Sequence, residues 1–251
     1  MSWSHVLDNL VAAVRRAAPA EGTATLLFSG GIDSSLLAWI AQREAVPLEL
    51  LTIALPGGPD AELARRSASA MGLSTVVAPL TAEDVRAAAV RLREDHPGLT
   101  LTDLSVQTAM ALALHRAPTR VVWCGQGADE LFVGYAHSRA LQGEALAARC
   151  EADLRKLDRV DLPISEELAR RAGKVLRSPY LDPGFVEAVG RISWTDRSRG
   201  GESKPLLREM ARSAGLPSEI VERPKKAFQY GSGIHRLLRK TTTDERPVAR
   251  G

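Results

Sequence analysis

Leu26-Leu27-Phe28-Ser29-Gly30-Gly31-Ile32-Asp33-Ser34-Ser35-Leu36-Leu37-Ala38-Trp39-Ile40 decides how this chain is read. The apolar run before Ser29 has the length of a buried parallel strand, and the run after Ser35 reads as a helix. A strand, a glycine turn and a helix start in that order make an anion site. The turn's backbone N–H groups and the helix N-terminus point at the anion, and the two glycines let its oxygens come close. Ser29, Ser34 and Ser35 add hydroxyl donors, and Asp33 is placed to hold a magnesium ion against phosphates.

Two common nucleotide motifs are absent. No Gly-x-x-x-x-Gly-Lys-Ser/Thr occurs, so there is no Walker-type cradle, and the third glycine of the dinucleotide fingerprint is missing. Ser29 to Ser35 instead resembles the Ser-Gly-Gly-x-Asp-Ser pyrophosphate loop of the ATP pyrophosphatase group. That resemblance implies cleavage of ATP between its α and β phosphates, with the AMP half used to activate a carbonyl or carboxylate.

The surrounding sequence narrows the class. Its 251 residues suffice for one large domain or two modest ones, and 45% apolar with 25% charged residues is ordinary for a soluble globular protein. A net charge of +3 and only 4% aromatic residues give little material for binding nucleic acid. Cys124 and Cys150 form no Cys-x-x-Cys pair, which fits a reducing cytosol and a cytoplasmic enzyme. No apolar run approaches the length of a membrane span, and Asp8, Arg15 and Arg16 interrupt any signal-peptide pattern. Val6, Leu7, Leu10, Val11 and Val14 recur at helical spacing, so residues 1–22 read as an N-terminal helix.

Strands and helices alternate through the first half. Strands are expected at Thr25–Phe28, Leu48–Ala54, Ser74–Pro79 and Arg120–Cys124, and helices near Ser34–Arg43, Ala61–Met71, Ala82–Glu94 and Leu104–Arg116. Thr81-x-x-Asp84 reads as a capping box and Gly72 as a helix stop. The pattern predicts an α/β fold, a parallel sheet covered by helices over about 23–135. Strand signals stop at about Leu131, so a helical subdomain is expected over about 136–240, then a polar tail over 241–251. Ligands of such sheets sit beyond the carboxyl ends of the strands, where the Ser29 loop falls.

Three further stretches could carry chemistry. Gly125-Gln126-Gly127-Ala128-Asp129-Glu130 follows the fourth strand, so a second glycine loop emerges at the same sheet edge, and Asp129 could share a magnesium ion with Asp33. Arg223-Pro224-Lys225-Lys226, soon followed by Gly231-Ser232-Gly233, offers cations for a departing pyrophosphate or simply a solvated basic surface. Arg177-Ser178-Pro179-Tyr180-Leu181-Asp182-Pro183 reads as a fixed extended segment that could be purely structural. The five histidines show no metal-ligand spacing, and no Gly-x-Ser-x-Gly elbow is present.

Taken in order, these stretches resemble the synthetase half of glutamine-dependent asparagine synthetases, from about Thr23 to Leu238. The family's SGGxDSS matches Ser29 to Ser35, and its SGEGADELFGGY is similar to Cys124 through Tyr135. Its RxPFLD is similar to Arg177 to Asp182, and its R-x-K-x-x-F-x-x-G-x-G matches Arg223 to Gly233. The resemblance implies an adenine-nucleotide α-hydrolase-like fold and a catalytic lysine at Lys225. It also implies an adenine pocket lined by Leu27 and Ile53, Gly125 beneath the nucleotide, and magnesium on Asp33 and Asp129. Ser29, Gly30, Gly31, Asp33, Ser34 and Ser35 would grip the phosphates of ATP. Lys204 matches a further family lysine whose role the alignment does not settle.

The departures bear on the reaction. About two dozen residues precede the first loop and residue 2 is Ser, so the family's glutaminase, with its N-terminal cysteine, is not expected here. Ammonia, another amine or a separate glutaminase subunit would then supply nitrogen. The glutamate of SGEGADE is Gln126, which is neutral and no general base. Cys124 and Val175 replace a family serine and glutamate. The expected function is an ATP-dependent amide ligase that adenylates a small-molecule carboxylate and passes the acyl group to an amine. The alternatives are a nucleotide-binding subunit without catalysis and an RNA-modifying pyrophosphatase, the latter disfavoured by the lack of paired cysteines or a basic extension.

Overall fold

A computed structural model of the protein describes residues 4–199, 202–223 and 233–244. Helix α1 (Ser4–Ala17) leads into β1 (Ala24–Leu27), α2 (Ile32–Arg43), β2 (Leu48–Ala54), α3 (Pro59–Ala70) and β3 (Thr75–Pro79). Helices α4 (Ala82–Asp95) and α5 (Leu101–Arg116) then return the chain to β4 (Val121–Trp123). The expected strands and helices of this half are all present, with ends shifted by a few residues.

All strand pairs are parallel, in the order β3-β2-β1-β4-β5. Successive residues of each strand face opposite layers. Ala24, Leu26, Leu50 and Trp123 pack toward α1, α2 and α3, whereas Leu51, Ile53 and Val122 pack toward α4, α5 and α8. Both faces are therefore covered, as near-continuous apolar strands require.

Local signals explain the helix ends. Thr81 Oγ1 accepts from Asp84 N, and Asp84 Oδ2 accepts from Thr81 N, completing the capping box. Gly72 takes a φ of +71°, Gly72 N donates to Ser69 O and Leu73 N to Ala68 O, the Schellman pattern that ends α3.

The expectation that strands stop near Leu131 fails. After α6 (Ala128–Leu131), α7 (Gly143–Lys156) and α8 (Leu162–Arg171), a fifth strand β5 (Val175–Arg177) adds to the sheet beside β4. Three residues are too few to show a periodic pattern, and Val175 is exposed at the sheet edge. The segment read as extended is instead a 3₁₀ turn, Pro179–Leu181. Asp182 then caps α9 (Pro183–Gly190), its Oδ1 accepting from Gly184 N and Phe185 N, and Arg16 of α1 pairs with it bidentately.

The later helices share the main core. After the short α10 (Trp194–Arg197), residues of α11 (Pro205–Ser213) and α12 (Ser218–Val221) join those of α9 in one cluster with α1, α2 and Trp123. The helix Ile234–Asp244 packs on α5 and runs into the segment read as a tail. No helix among the described residues is long and apolar enough to cross a membrane.

Candidate active site

The chain runs from β1 outward to β3 and then returns to β4 on the other side of β1. The reversal leaves a crevice at the carboxyl ends of β1 and β4, the usual ligand position in such sheets. Both glycine loops start there. A Cβ on Gly125 would lie 3.5 Å from Asp33 Cβ, so the loops are in contact.

The first loop is braced from within. Gly31 N donates to Ser29 Oγ, Ser34 Oγ bonds Gly31 O, and Ser29 and Ser34 hydroxyls meet at 3.3 Å. Two of the three serines expected to face an anion thus hold the turn's shape, while Ser35 is fully buried with its hydroxyl unpartnered. Gly31 caps α2 without a side-chain hydrogen bond. Gly30 has φ +71°, and a Cβ there would sit 2.9 Å from Ala64 Cα and Leu63 O. Only glycine lets β1 and α3 approach this closely.

Asp33 and Asp129 do converge, and the group between them is one the sequence left without a role. Lys204 Nζ lies 2.5 Å from Asp33 Oδ1 and 2.8 Å from Asp129 Oδ1. Lys204 caps α11 in a left-handed conformation, φ +57°, and its side chain is 2% exposed. Burial opposes the lysine's charge, but the Asp129 and Asp33 carboxylates outweigh it and its pKa is raised. The ammonium group is therefore present throughout the physiological range.

The donor set suits a hard cation. Asp33 and Asp129 each give one oxygen to the Lys204 ammonium, and their second oxygens match in number the one or two carboxylates that magnesium takes from a protein, the rest of its shell being water and phosphate. Among the described residues no group of three or more His, Cys, Asp or Glu gathers to hold a metal, here or elsewhere, so Asp33 and Asp129 stand as a pair.

A chain of hydrogen bonds ties the Lys204 turn to both loops. Ser203 Oγ donates to Gly134 O, Arg208 Nε to Ser203 O, and Arg208 Nη2 to Arg223 O. Arg208 Nη1 also donates to Val221 O. Arg223 Nη1 then donates to Gly30 O and to Ser67 Oγ, which itself donates to Gly30 O. Arg208 is buried, so it acts as a clamp rather than as a surface charge. Nothing in the sequence spacing announces that role. Lys225, with the rest of 224–232, lies outside the described residues.

The remaining sequence candidates fall as follows. Leu27 and Ile53 lie on the α4/α5 face of the sheet, Ile53 fully buried and Leu27 partly. Tyr180 Oη donates to Asp33 O, which fixes the start of α2 from the β5 side. Gln126 turns away from the Asp33–Lys204–Asp129 cluster. Its Nε2 donates to Ser165 Oγ, its Oε1 accepts from Cys124 Sγ, and its backbone O accepts from Ser178 Oγ.

Glu130, next to Asp129, was given no role of its own in the sequence. Burial, then the Asp129 charge, push its carboxyl up to about 7, with Tyr135 Oη donating to it at 2.6 Å. A raised carboxyl makes the folded state bind the extra proton between the ordinary value of 4.5 and about 7. Stability should therefore fall as pH rises through that window, by roughly 3 kcal/mol at 1.36 kcal/mol per unit. Glu130→Gln should flatten this slope in thermal melts across pH 4.5 to 7. An unchanged slope would place the titration elsewhere.

The chain matches the asparagine synthase family over residues 5–156 and 141–246. It belongs to that family. Asparagine synthetase of Gallus gallus, named as glutamine-hydrolyzing, is 28% identical over 232 residues, 87% of this chain and 41% of the relative. Asparagine synthetase B of Escherichia coli, also named as glutamine-hydrolyzing, is 26% identical over 228 residues, 83% of this chain and 41% of the relative. This asparagine synthase-family chain thus spans less than half the length of the curated relatives it matches. Among solved structures it is similar to an NMN synthetase from Francisella tularensis, with a TM-score of 0.48 and 12% identity over 100% of this chain and 99% of that one.

Proposed function

We propose that the protein is an ATP-dependent ligase that adenylates a carboxylate and transfers the acyl group to an amine. What carries this reading is the buried Lys204 held between Asp33 and Asp129 where the two glycine loops meet. Family membership supports the same chemistry.

In the proposed reaction the backbone of Ser29, Gly30 and Gly31 and the start of α2 hold the β and γ phosphates. Ser34 and Ser35 belong to that loop, while Leu27, Ile53 and Gly125 bound the adenosine end. A substrate carboxylate attacks the α-phosphorus, the bond to the β-phosphate oxygen breaks, and pyrophosphate leaves. Lys225 stabilises the charge that develops there. Asp33 and Asp129 would hold magnesium, which when bound neutralises phosphate charge. Lys204 keeps the two carboxylates aligned. The amine then displaces AMP from the acyl-adenylate, giving the amide.

The test is nucleotide analysis after incubation with magnesium and ATP, with and without aspartate and ammonia. AMP and pyrophosphate are expected products, and ADP would overturn the reading. AMP formed only with both aspartate and ammonia would make the protein an asparagine synthetase despite Gln126. Lys225→Ala should cut AMP formation by about 100- to 1000-fold, the cost of removing one transition-state donor, while leaving ATP binding nearly intact.

A further inference from the structure

Beside the second glycine loop a cavity of about 360 Å³ opens between α1, α8 and the end of β5. None of its lining residues belongs to the Asp33–Lys204–Asp129 cluster, so it is a site apart from the crevice. We propose that it binds a free α-amino acid with an apolar side chain. The carboxylate lies on Arg177, the ammonium on Glu166, and the side chain against Leu162, Leu176 and Leu181. The inference does not depend on the adenylation reading, and the amino acid is a ligand beside that reaction rather than a reactant in it.

Charge sets the ligand class. The charged side chains that line the cavity are Arg16, Asp182, Arg177 and Glu166. Arg16 and Asp182 close on each other bidentately, at 2.8 and 2.6 Å, which leaves one cation and one anion. Arg177 Nη1 donates to Ala17 O and Ala18 O, both at 2.9 Å, and those two bonds fix the plane of the guanidinium. No carboxylate pairs with it among the described residues. Its other donors, on Nε and Nη2, form the edge that takes a carboxylate bidentately. Glu166 lies one turn along α8 from Leu162, is exposed, and has no hydrogen-bond or ion-pair partner among the described residues.

These two charges select against a ligand of one sign. An anion alone is drawn to Arg177 but repelled by Glu166, and a cation alone meets the reverse. A zwitterion compensates both side chains and brings no net charge of its own. A free amino acid is ionised at both groups at neutral pH.

Size and lining set the side chain. The volume lies at the low end of the range for small-molecule sites, about 300–1,000 Å³, which suits one amino acid. Leu162 and Leu176 come from α8 and β5, and Leu181 from the turn that follows, so the apolar wall is built from separate elements. A branched apolar side chain seated there leaves water, a gain that glycine lacks.

The experiment is ligand-observed NMR titration of the whole protein with L-leucine, L-leucinamide, 4-methylpentanoate and glycine, in wild type and Glu166→Gln. Leucine should give a saturable signal. Leucinamide lacks the carboxylate, 4-methylpentanoate the ammonium and glycine the side chain, and each should bind about tenfold more weakly or worse. Glu166→Gln should weaken leucine about tenfold. It should not weaken 4-methylpentanoate, which has no ammonium for Glu166 to hold. Glu166 is exposed and unpaired, so the variant should keep the wild-type melting temperature. Leucine should also stay bound when α,β-methylene-ATP and magnesium are added, because the crevice is separate. The inference is overturned by absent leucine binding, by leucine that the nucleotide displaces, or by leucine binding that Glu166→Gln leaves unchanged. Leucinamide binding as tightly as leucine would overturn it too, by removing Arg177 from the site. Binding needs no turnover, so the two proposals fail separately. ADP as product would sink only the adenylation reading, and AMP formed by a protein that does not bind leucine would sink only this one.

Discussion

Lys204→Met should cost the protein about 3 kcal/mol at neutral pH, with part of the loss returned by magnesium. In the wild type one buried ammonium group satisfies Asp33 and Asp129 together. Removing one partner of a buried pair typically costs 3–5 kcal/mol, because the charge left behind is uncompensated. Asp33 and Asp129 are 27% exposed, so water relieves some of that penalty and the low end of the range is expected.

Without the lysine, the two carboxylates face each other with no positive charge between them. Magnesium should replace the missing positive charge if Asp33 and Asp129 are its ligands. Urea unfolding at pH 7, with and without millimolar magnesium, checks both the loss and its recovery. A variant as stable as wild type at pH 7 would mean that the Lys204 contacts contribute no net stability. A stability deficit that magnesium does not reduce would argue against the metal assignment.

The sequence makes the sheet legible because its cues are local. Leu48–Ala54 is apolar at five of its seven positions and of strand length, and Thr81 and Asp84 mark a helix start three residues apart. The first loop is legible for the same reason, since strand, glycines and helix are contiguous. The fifth strand is not, because Val175–Arg177 owes its conformation to pairing with β4 rather than to any pattern of its own. Lys204 is hidden more deeply. It lies far along the chain from Asp33, and its contact arises from a left-handed turn ahead of α11 that no spacing rule encodes. Arg208 and Arg223 likewise act through backbone carbonyls, which every residue has, so no partner could be named from the sequence. Gln126 was visible as a departure from the family motif, but its direction was not. Its contacts with Ser165 on α8 and with the Cys124 thiol set that direction, and neither could be paired with it from the sequence.

Gly134→Ala should be nearly as damaging, for a reason separate from backbone strain. Gly134 is not among the glycines with positive φ, so alanine could adopt its backbone. The obstacle is space. A Cβ there would fall 1.9 Å from Asp129 Oδ1, 2.5 Å from Lys204 Cε and 2.9 Å from Asp129 Cα. The last of these is backbone and cannot swing aside, while Lys204 is buried and has no alternative course. The methyl group therefore displaces Asp129 from the lysine, leaving the buried ammonium with Asp33 alone. Overpacking of this kind costs about 1–3 kcal/mol, and the weakened ion pair adds to it. Gly125→Ala is the control. Its Cβ would meet Asp33 Cβ at 3.5 Å, an ordinary contact, so that variant should melt within about 1 kcal/mol of wild type. The two variants should then part in opposite ways. Gly134→Ala should lose stability and AMP formation together. Gly125→Ala should keep its stability and lose affinity for ATP, because its methyl group projects where the nucleotide is proposed to lie. Thermal melts with ATP titration of both proteins decide the matter, and a stable, active Gly134→Ala would mean that Asp129 need not touch Lys204 at all.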